Sequence, residues 1–396
     1  MATLTRREFT AVLAAAPFLS LTRRAVAPAI NPPGDRFIAA LPGLMQLSGV
    51  PGLSMAVVHG GAVAWTHYSG LMDVEKNRGV TSRTLFPAAS LSKPVFAYAA
   101  LRLVDQGKLD LDRPLKGYVP DHAPADTRGD LVTARHVLSH SSGLRNWRAR
   151  ADQPLTPDFD PGARFQYSGE GIYYLQRVVE TLAGKGFEQF MQDSLLQPLG
   201  MTSSTYAWRA DVEERLTLGY TRGQAASTTP RDFANRLLKH ATDSGKPLAQ
   251  WTHPELVLAM ERLSPAPPAL PNFMIPNAAA SLLTTVGDYS AFLAQLMTDA
   301  NAAMALKPAT RQAMLKPHTR INTALAWGLG WGLERENNQD YLWHWGDNGA
   351  WKNFVLVHPE SRSAVVVFTN GANGLRLSER IINAASGDQH AAFLWI

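Results

Sequence analysis

Two short runs of β-branched and apolar residues, Leu53 to His59 and Ala62 to Tyr68, flank the pair Gly60-Gly61. Both glycines tolerate φ > 0, so the pattern predicts a β-hairpin opening the fold. From Ser90 the period changes. Val95, Ala99, Leu103 and Val104 recur at helical spacing, and Gly107 supplies a stop. Pro94 is tolerated only in a first helical turn, which puts Ser90 at the helix amino terminus.

Between about residues 130 and 262 the apolar positions keep a helical period, over Thr133 to Ser139, Ile172 to Leu182, Phe187 to Leu196 and Pro254 to Leu263. The passage Ser264-Pro265-Ala266-Pro267-Pro268, running to Pro276, reads as a loop leading out of that region. A helix follows over Thr285 to Met297, opened near Asp288. The chain then turns β-prone at Trp327 to Glu334, Tyr341 to Trp345, Asn353 to His358 and Ser363 to Thr369. Pro359-Glu360-Ser361-Arg362 is a turn between the last two runs, and Leu377 to Ala385 a closing helix.

Strands at both ends around a helical middle predict an α+β fold: one antiparallel sheet built from both chain ends and flanked by helices. Residues 28–129 and 275–396 would form that discontinuous sheet domain, with 130–274 as a mostly helical inserted lobe. A chain of 396 residues exceeds what one core usually fills, which agrees with two lobes.

Charge changes the picture only at the amino terminus. The run Thr5-Arg6-Arg7-Glu8-Phe9, then apolar residues from Ala11 to Leu21, then Ala25-Val26-Ala27, resembles a twin-arginine export signal spanning 1–27. The apolar run is too short to span a bilayer comfortably. The expected destination is periplasmic or extracellular, with no stable membrane anchor after signal removal and the protein a monomer. The formal charge of +5 falls to +2 without those residues, leaving 34 basic against 32 acidic side chains. So weak a balance does not suit a nucleic-acid partner. The chain has no cysteine, which excludes disulfides, thiolate metal sites and a cysteine nucleophile.

A serine hydroxyl is a poor nucleophile at neutral pH and needs a base beside it. Ser90 is the only serine followed at the third position by a lysine, Lys93. On a helix, positions i and i+3 share a face, so the amine can approach the hydroxyl. It can act as a base if burial or a second cation lowers its proton affinity well below the free value of about 10.4. Taken alone, Ser-x-x-Lys also fits a serine capping a helix with a solvated lysine one turn on.

Two further segments bear on the choice: Pro161-Gly162-Ala163-Arg164-Phe165-Gln166-Tyr167-Ser168-Gly169-Glu170-Gly171, a turn-rich loop feeding a helix, and His344-Trp345-Gly346-Asp347, ending a β-prone run. In this order and at these separations the chain resembles the serine β-lactamase and penicillin-binding family, above all the branch of class C β-lactamases and related esterases and peptidases. The resemblance covers roughly Leu44 to Asn370. It includes two supporting passages, Val137-Leu138-Ser139-His140-Ser141-Ser142-Gly143-Leu144 and Asn353-Phe354-Val355.

The resemblance implies a serine hydrolase acting on an ester, amide or lactam in a small molecule or short peptide, through an acyl-enzyme on Ser90 and without cofactor or metal. Lys93 and Tyr167 would share the hydroxyl proton, and the backbone N–H groups of Ser90 and Asp347 would form the oxyanion hole. His344, Trp345, Gly346 and Gly169 would face the substrate. Two departures stand out: Gly169 where the family commonly has asparagine, and His344 where β-lactamases have lysine, which makes a permanent cation pH-dependent. Both favour ester or peptide cleavage over efficient β-lactam hydrolysis. The first also leaves open a binder or sensor of penicillin-like or peptidoglycan-like ligands that acylates without turnover.

His136 and His140, four apart on a predicted helix, could hold a metal, but no third ligand is evident and loop packing is the alternative. Of the clustered Trp327, Trp331, Trp343, Trp345 and Trp351, about two are expected in the cleft and Trp345 is the preferred one. No Gly-x-Ser-x-Gly elbow anchors an α/β-hydrolase reading.

Overall fold

The computed structural model describes residues 29–120, 124–148, 153–263, 275–298 and 302–396. The expected export signal, and most of the proline-rich passage after Leu263, lie outside them.

The strands, in chain order, begin with β1 (Gly52–His59), β2 (Ala62–Asp73) and β3 (Arg78–Gly79). Four two-residue strands follow: β4 (Phe86–Pro87) pairs with β7 (Leu283–Thr284), and β5 (Tyr220–Thr221) pairs with β6 (Gln224–Ala225). The last group is β8 (Thr319–Arg320), β9 (Leu325–Trp327), β10 (Gly332–Glu336), β11 (Gln339–Asp347), β12 (Lys352–His358) and β13 (Ser363–Thr369). One nine-stranded antiparallel sheet runs β3-β2-β1-β13-β12-β11-β10-β9-β8, so strands from both chain ends meet where β1 pairs with β13.

Strand β13 is buried at every position because both faces of the sheet are covered. Ala364, Val366 and Phe368 point to one side, into a core shared with the Ser92–Asp105 and Val286–Leu296 helices. Val365 and Val367 point to the other, against Leu41 and Met45 of the Asp35–Ser48 helix and Ile381 and Ile382 of the Gly374–Ser386 helix. The sheet is thus the middle of three layers, and the α+β architecture expected from strands at both chain ends around a helical middle is the one observed.

The first core continues into the Gly169–Ala183 helix, while a separate cluster around Trp208, Phe233 and Met260 gathers the Thr229–Asp243 and His253–Leu263 helices. No helix among the described residues is long and apolar enough to cross a membrane.

Several expectations need correction. A helix, Asp35–Ser48, precedes the hairpin; it carries Pro42 and Gly43, weak helix formers, and its buried Leu41 and Met45 tie it to the sheet. The Thr229–Asp243 helix, opening on Pro230, was not singled out. The run Trp327 to Glu334 is two strands, because the chain bends between Gly328 and Trp331 and pairs β9 with β10. A short helix, Ala392–Trp395, follows the expected closing one.

Candidate active site

Ser90 lies in a single 3-10 turn, Ala89–Leu91, that runs directly into the Ser92–Asp105 helix. The turn is fixed from several sides. The Ser92 hydroxyl donates to Ala89 O at 2.5 Å and accepts from Leu282 N at 3.0 Å, Ala88 N donates to Leu282 O, and the Tyr289 hydroxyl donates to Leu91 O. Ala89, fully buried, is held at φ 52°, a left-handed conformation that costs a non-glycine residue about 1 kcal/mol or more. Such strain persists only where surrounding contacts over-determine it.

Lys93, one helical turn on, is 2% exposed, and its Nζ lies 3.0 Å from Ser90 Oγ and 2.8 Å from Ala279 O. No carboxylate pairs with it among the described residues. Burial alone pushes the amine down to about 7, so near neutral pH a large fraction is unprotonated and can accept the Ser90 proton.

Tyr167 closes the third side. Its ring is 4.8 Å from Lys93 Nζ and is packed by His140 at 4.2 Å and Trp345 at 4.7 Å between ring centres. The ring is partly exposed, yet its hydroxyl is buried and makes no hydrogen bond of normal geometry. Burial raises the hydroxyl's proton affinity, and nearby Ser90 pulls it back in part. Tyr167 therefore keeps its proton at neutral pH, and of the two groups beside Ser90 only Lys93 has a proton affinity suited to accepting a proton there.

His344 comes from β11, whose alternation sends Trp343 and Trp345 to one face, in the core against which Tyr167 also packs, and His344 to the other, toward Lys93. The ring is fully buried, and Nδ1 lies 2.7 Å from Trp345 O. A peptide oxygen has no proton to give, so Nδ1 carries the hydrogen and the buried, unpartnered Nε2 presents a bare lone pair. Desolvation, then the nearby Lys93 charge, pushes the imidazole down to about 3. His344 is thus a neutral hydrogen-bond acceptor across the physiological range, where the sequence suggested a cation switched by pH.

Gly346 lets β11 press against the Ser90 turn: a Cβ there would stand 2.4 Å from Ala88 O. Asn353, opposite Gly346 on β12, ties the same junction by donating to Pro87 O at 2.9 Å and accepting from Thr369 N. The contact falls one residue before Asp347 on the strand and two before Ser90 on the turn, so it joins the two segments whose backbone N–H groups are the expected oxyanion hole. The Asp347 side chain points elsewhere, pairing with Lys352 and capping Gly349 N.

Gly169 begins the Gly169–Ala183 helix, and the Trp147 indole lies against it. Of the tryptophans weighed for the cleft, Trp327, Trp331 and Trp343 are fully buried and Trp351 is 5% exposed, which leaves Trp345 as the accessible one. His136 and His140 do not share a helix face, because the helix ends at Leu138 and His140 adopts φ 52°. His140 instead accepts from Ser168 N and backs the Tyr167 ring. Among the described residues no cluster of three or more ligating side chains could hold a metal.

Sequence reasoning gave no role to Ser92, the Ala279 carbonyl or Trp147. Their partners lie far away in the chain or on the backbone, where side-chain pattern carries no signal.

A profile of the family described as Beta-lactamase matches residues 37–387. The chain belongs to the β-lactamase family. Within this family it is similar to esterase EstB of Burkholderia gladioli, 32% identical over 207 residues, which cover 44% of this chain and 52% of the esterase. The chain thus spans about half the length of that relative. It also resembles penicillin-binding protein 4 of Amycolatopsis lactamdurans, 25% identical over 337 residues and 81% of each chain. Among solved structures, the octameric penicillin-binding protein homologue from Pyrococcus abyssi superposes with a TM-score of 0.64 at 21% identity, covering 85% of this chain and 74% of its own. SurE does so with 0.66 at 23%, covering 88% and 75%. These two likenesses establish the β-lactamase-family fold.

Proposed function

We propose that the chain is a serine hydrolase that cleaves carboxylic esters through an acyl-enzyme on Ser90. The observation that carries this reading is the buried Lys93 amine, pushed down to about 7 and 3.0 Å from Ser90 Oγ. In the first half-reaction unprotonated Lys93 takes the hydroxyl proton as Oγ bonds to the ester carbonyl carbon. The Ser90 and Asp347 N–H groups receive the developing oxyanion. When the carbonyl reforms, the C–O bond to the alcohol breaks, and the alkoxide takes a proton from the Lys93 ammonium, directly or through the Tyr167 hydroxyl. Water then attacks the acyl group with Lys93 again as base, releasing the acid and restoring Ser90.

Esters are favoured over amides and lactams for two reasons. The alkoxide leaves with less acid assistance than an amine, and neutral His344 supplies no cation for a substrate carboxylate. The esterase relative points the same way. The enzyme is further proposed to act as a monomer outside the cytoplasm, following the Arg6-Arg7 signal, which fractionation of cells expressing the full chain would test.

The decisive experiment compares wild type with Ser90→Ala on p-nitrophenyl acetate and nitrocefin, followed by intact-mass measurement after a fluorophosphonate and, separately, after penicillin. Ester turnover that falls at least a thousandfold in Ser90→Ala, with one adduct on wild type only, supports the reading. Undiminished turnover in the variant overturns it, and a stable penicillin adduct without ester turnover would favour the non-turnover binder.

A further inference from the structure

Position 169 is a glycine because a tryptophan stands where its side chain would be. A Cβ built there would meet Trp147 Cζ2 at 2.1 Å, Cε2 at 2.5 Å and Cη2 at 2.6 Å, all carbons of the benzo ring. The indole is held by its neighbours on both sides. Asn146 accepts Gly169 N through its side chain at 2.9 Å and Glu170 N through its backbone oxygen, also at 2.9 Å. Arg148 forms a two-pronged ion pair with Glu170, whose carboxylate is almost fully buried. Trp147 is thus clamped over the first turn of the helix while remaining partly exposed.

The position of that wall follows from the backbone. Ser168, between Tyr167 and Gly169, is extended, at φ −137° and ψ 115°. Tyr167 and Gly169 flank this one extended residue, so the volume taken by the indole begins two residues along the chain from the Tyr167 ring, itself 4.8 Å from Lys93 Nζ. A substrate group that reaches from Ser90 past Tyr167 to position 169 would therefore meet hydrocarbon, with no hydrogen-bonding atom in the place where residue 169 would project.

We propose that Trp147 is a specificity-determining residue that selects substrates whose acyl group is an alkyl or aryl chain over those whose acyl group carries an amide. This inference rests on the Ser90 esterase reading and names its substrate class. An acylamino group brought against the indole would lose its hydrogen bonds to water without replacement, whereas an alkyl chain gains burial.

The test uses two p-nitrophenyl esters of matched chain length, the pentanoate and the N-acetylglycinate, each kcat/KM normalised to the ester's spontaneous hydrolysis. Wild type should favour the pentanoate at least tenfold. Trp147→Ala combined with Gly169→Asn, which clears the ring and installs an amide, should lower that ratio at least fivefold. Trp147→Gln, which leaves position 169 untouched and offers an amide from the other side, should move it the same way and stands in if the double variant fails to fold. A wild-type ratio below threefold, or a ratio that moves less than twofold in every folded variant, overturns the inference. Turnover persisting in Ser90→Ala overturns the nucleophile assignment instead, so the two failures are distinguishable.

Discussion

Gly346 and Ala88 approach so closely that a single methyl group at position 346 would stand 2.4 Å from the Ala88 carbonyl oxygen. The contact joins a strand of the sheet to the turn carrying Ser90, and in the proposed mechanism it would set the spacing between the Ser90 and Asp347 N–H groups. Gly346→Ala should therefore cost about 1–3 kcal/mol, as overpacking does. By widening the oxyanion site it should also lower kcat by about a hundredfold or more. Thermal melts and steady-state kinetics check both; unchanged kcat would show that the junction does not set that geometry.

The pH dependence of kcat/KM should report Lys93. Its amine, pushed down to about 7 by burial, is protonated and useless as a base below that value and free above it. The rate on a neutral ester should rise from pH 5, pass its midpoint near 7 and level off above 8. Lys93→Arg keeps a cation that does not deprotonate near neutrality, so its loss of about 10²–10⁴ should persist at every pH in this range. Recovery of the arginine variant at high pH would contradict the assignment.

Tyr167 offers a case where stability and activity should separate. Its hydroxyl is buried and, with only the nearby Ser90 to interact with, makes no hydrogen bond of normal geometry, which is unfavourable in the resting protein. Tyr167→Phe keeps the ring contacts with His140 and Trp345. It should leave Tm unchanged or slightly raised while kcat falls about 10²-fold or more, through loss of a proton relay. A fall in Tm of several degrees would mean that the hydroxyl has a partner in solution.

Much of this was legible in the sequence, for reasons specific to particular residues. Val365, Val366 and Val367 show a strand buried on both faces, and Ser90 with Lys93 needs only one helical turn to meet, so local spacing suffices. The electrostatic state of the site was not legible. Whether His344 is charged depends on its burial, on Trp345 O and on Lys93, none of which spacing reveals. Likewise Gly169 reads as a deletion in the sequence and as the footprint of Trp147 in the structure. The Asp35–Ser48 helix escaped notice because burial of Leu41 and Met45 outweighs the weak propensity of its proline and glycine.

His344 supplies the sharpest test of that hidden electrostatics. If the imidazole titrated near neutrality, the rise of kcat/KM around pH 7 would be its own, and His344→Gln would abolish it. Because burial and Lys93 push the ring down to about 3, it is neutral from pH 5 upward. His344→Gln should then keep the midpoint near 7, with any loss appearing as a pH-independent factor. His344→Lys should act in the opposite sense from a neutral replacement. A second ammonium beside Lys93 makes it harder to protonate either amine, so the midpoint should move toward acid, by about one unit. Tm should fall as well, since a second unpaired cation is buried. A His344→Gln profile flat between pH 5 and 8 would assign the titration to the histidine and remove Lys93 as the base.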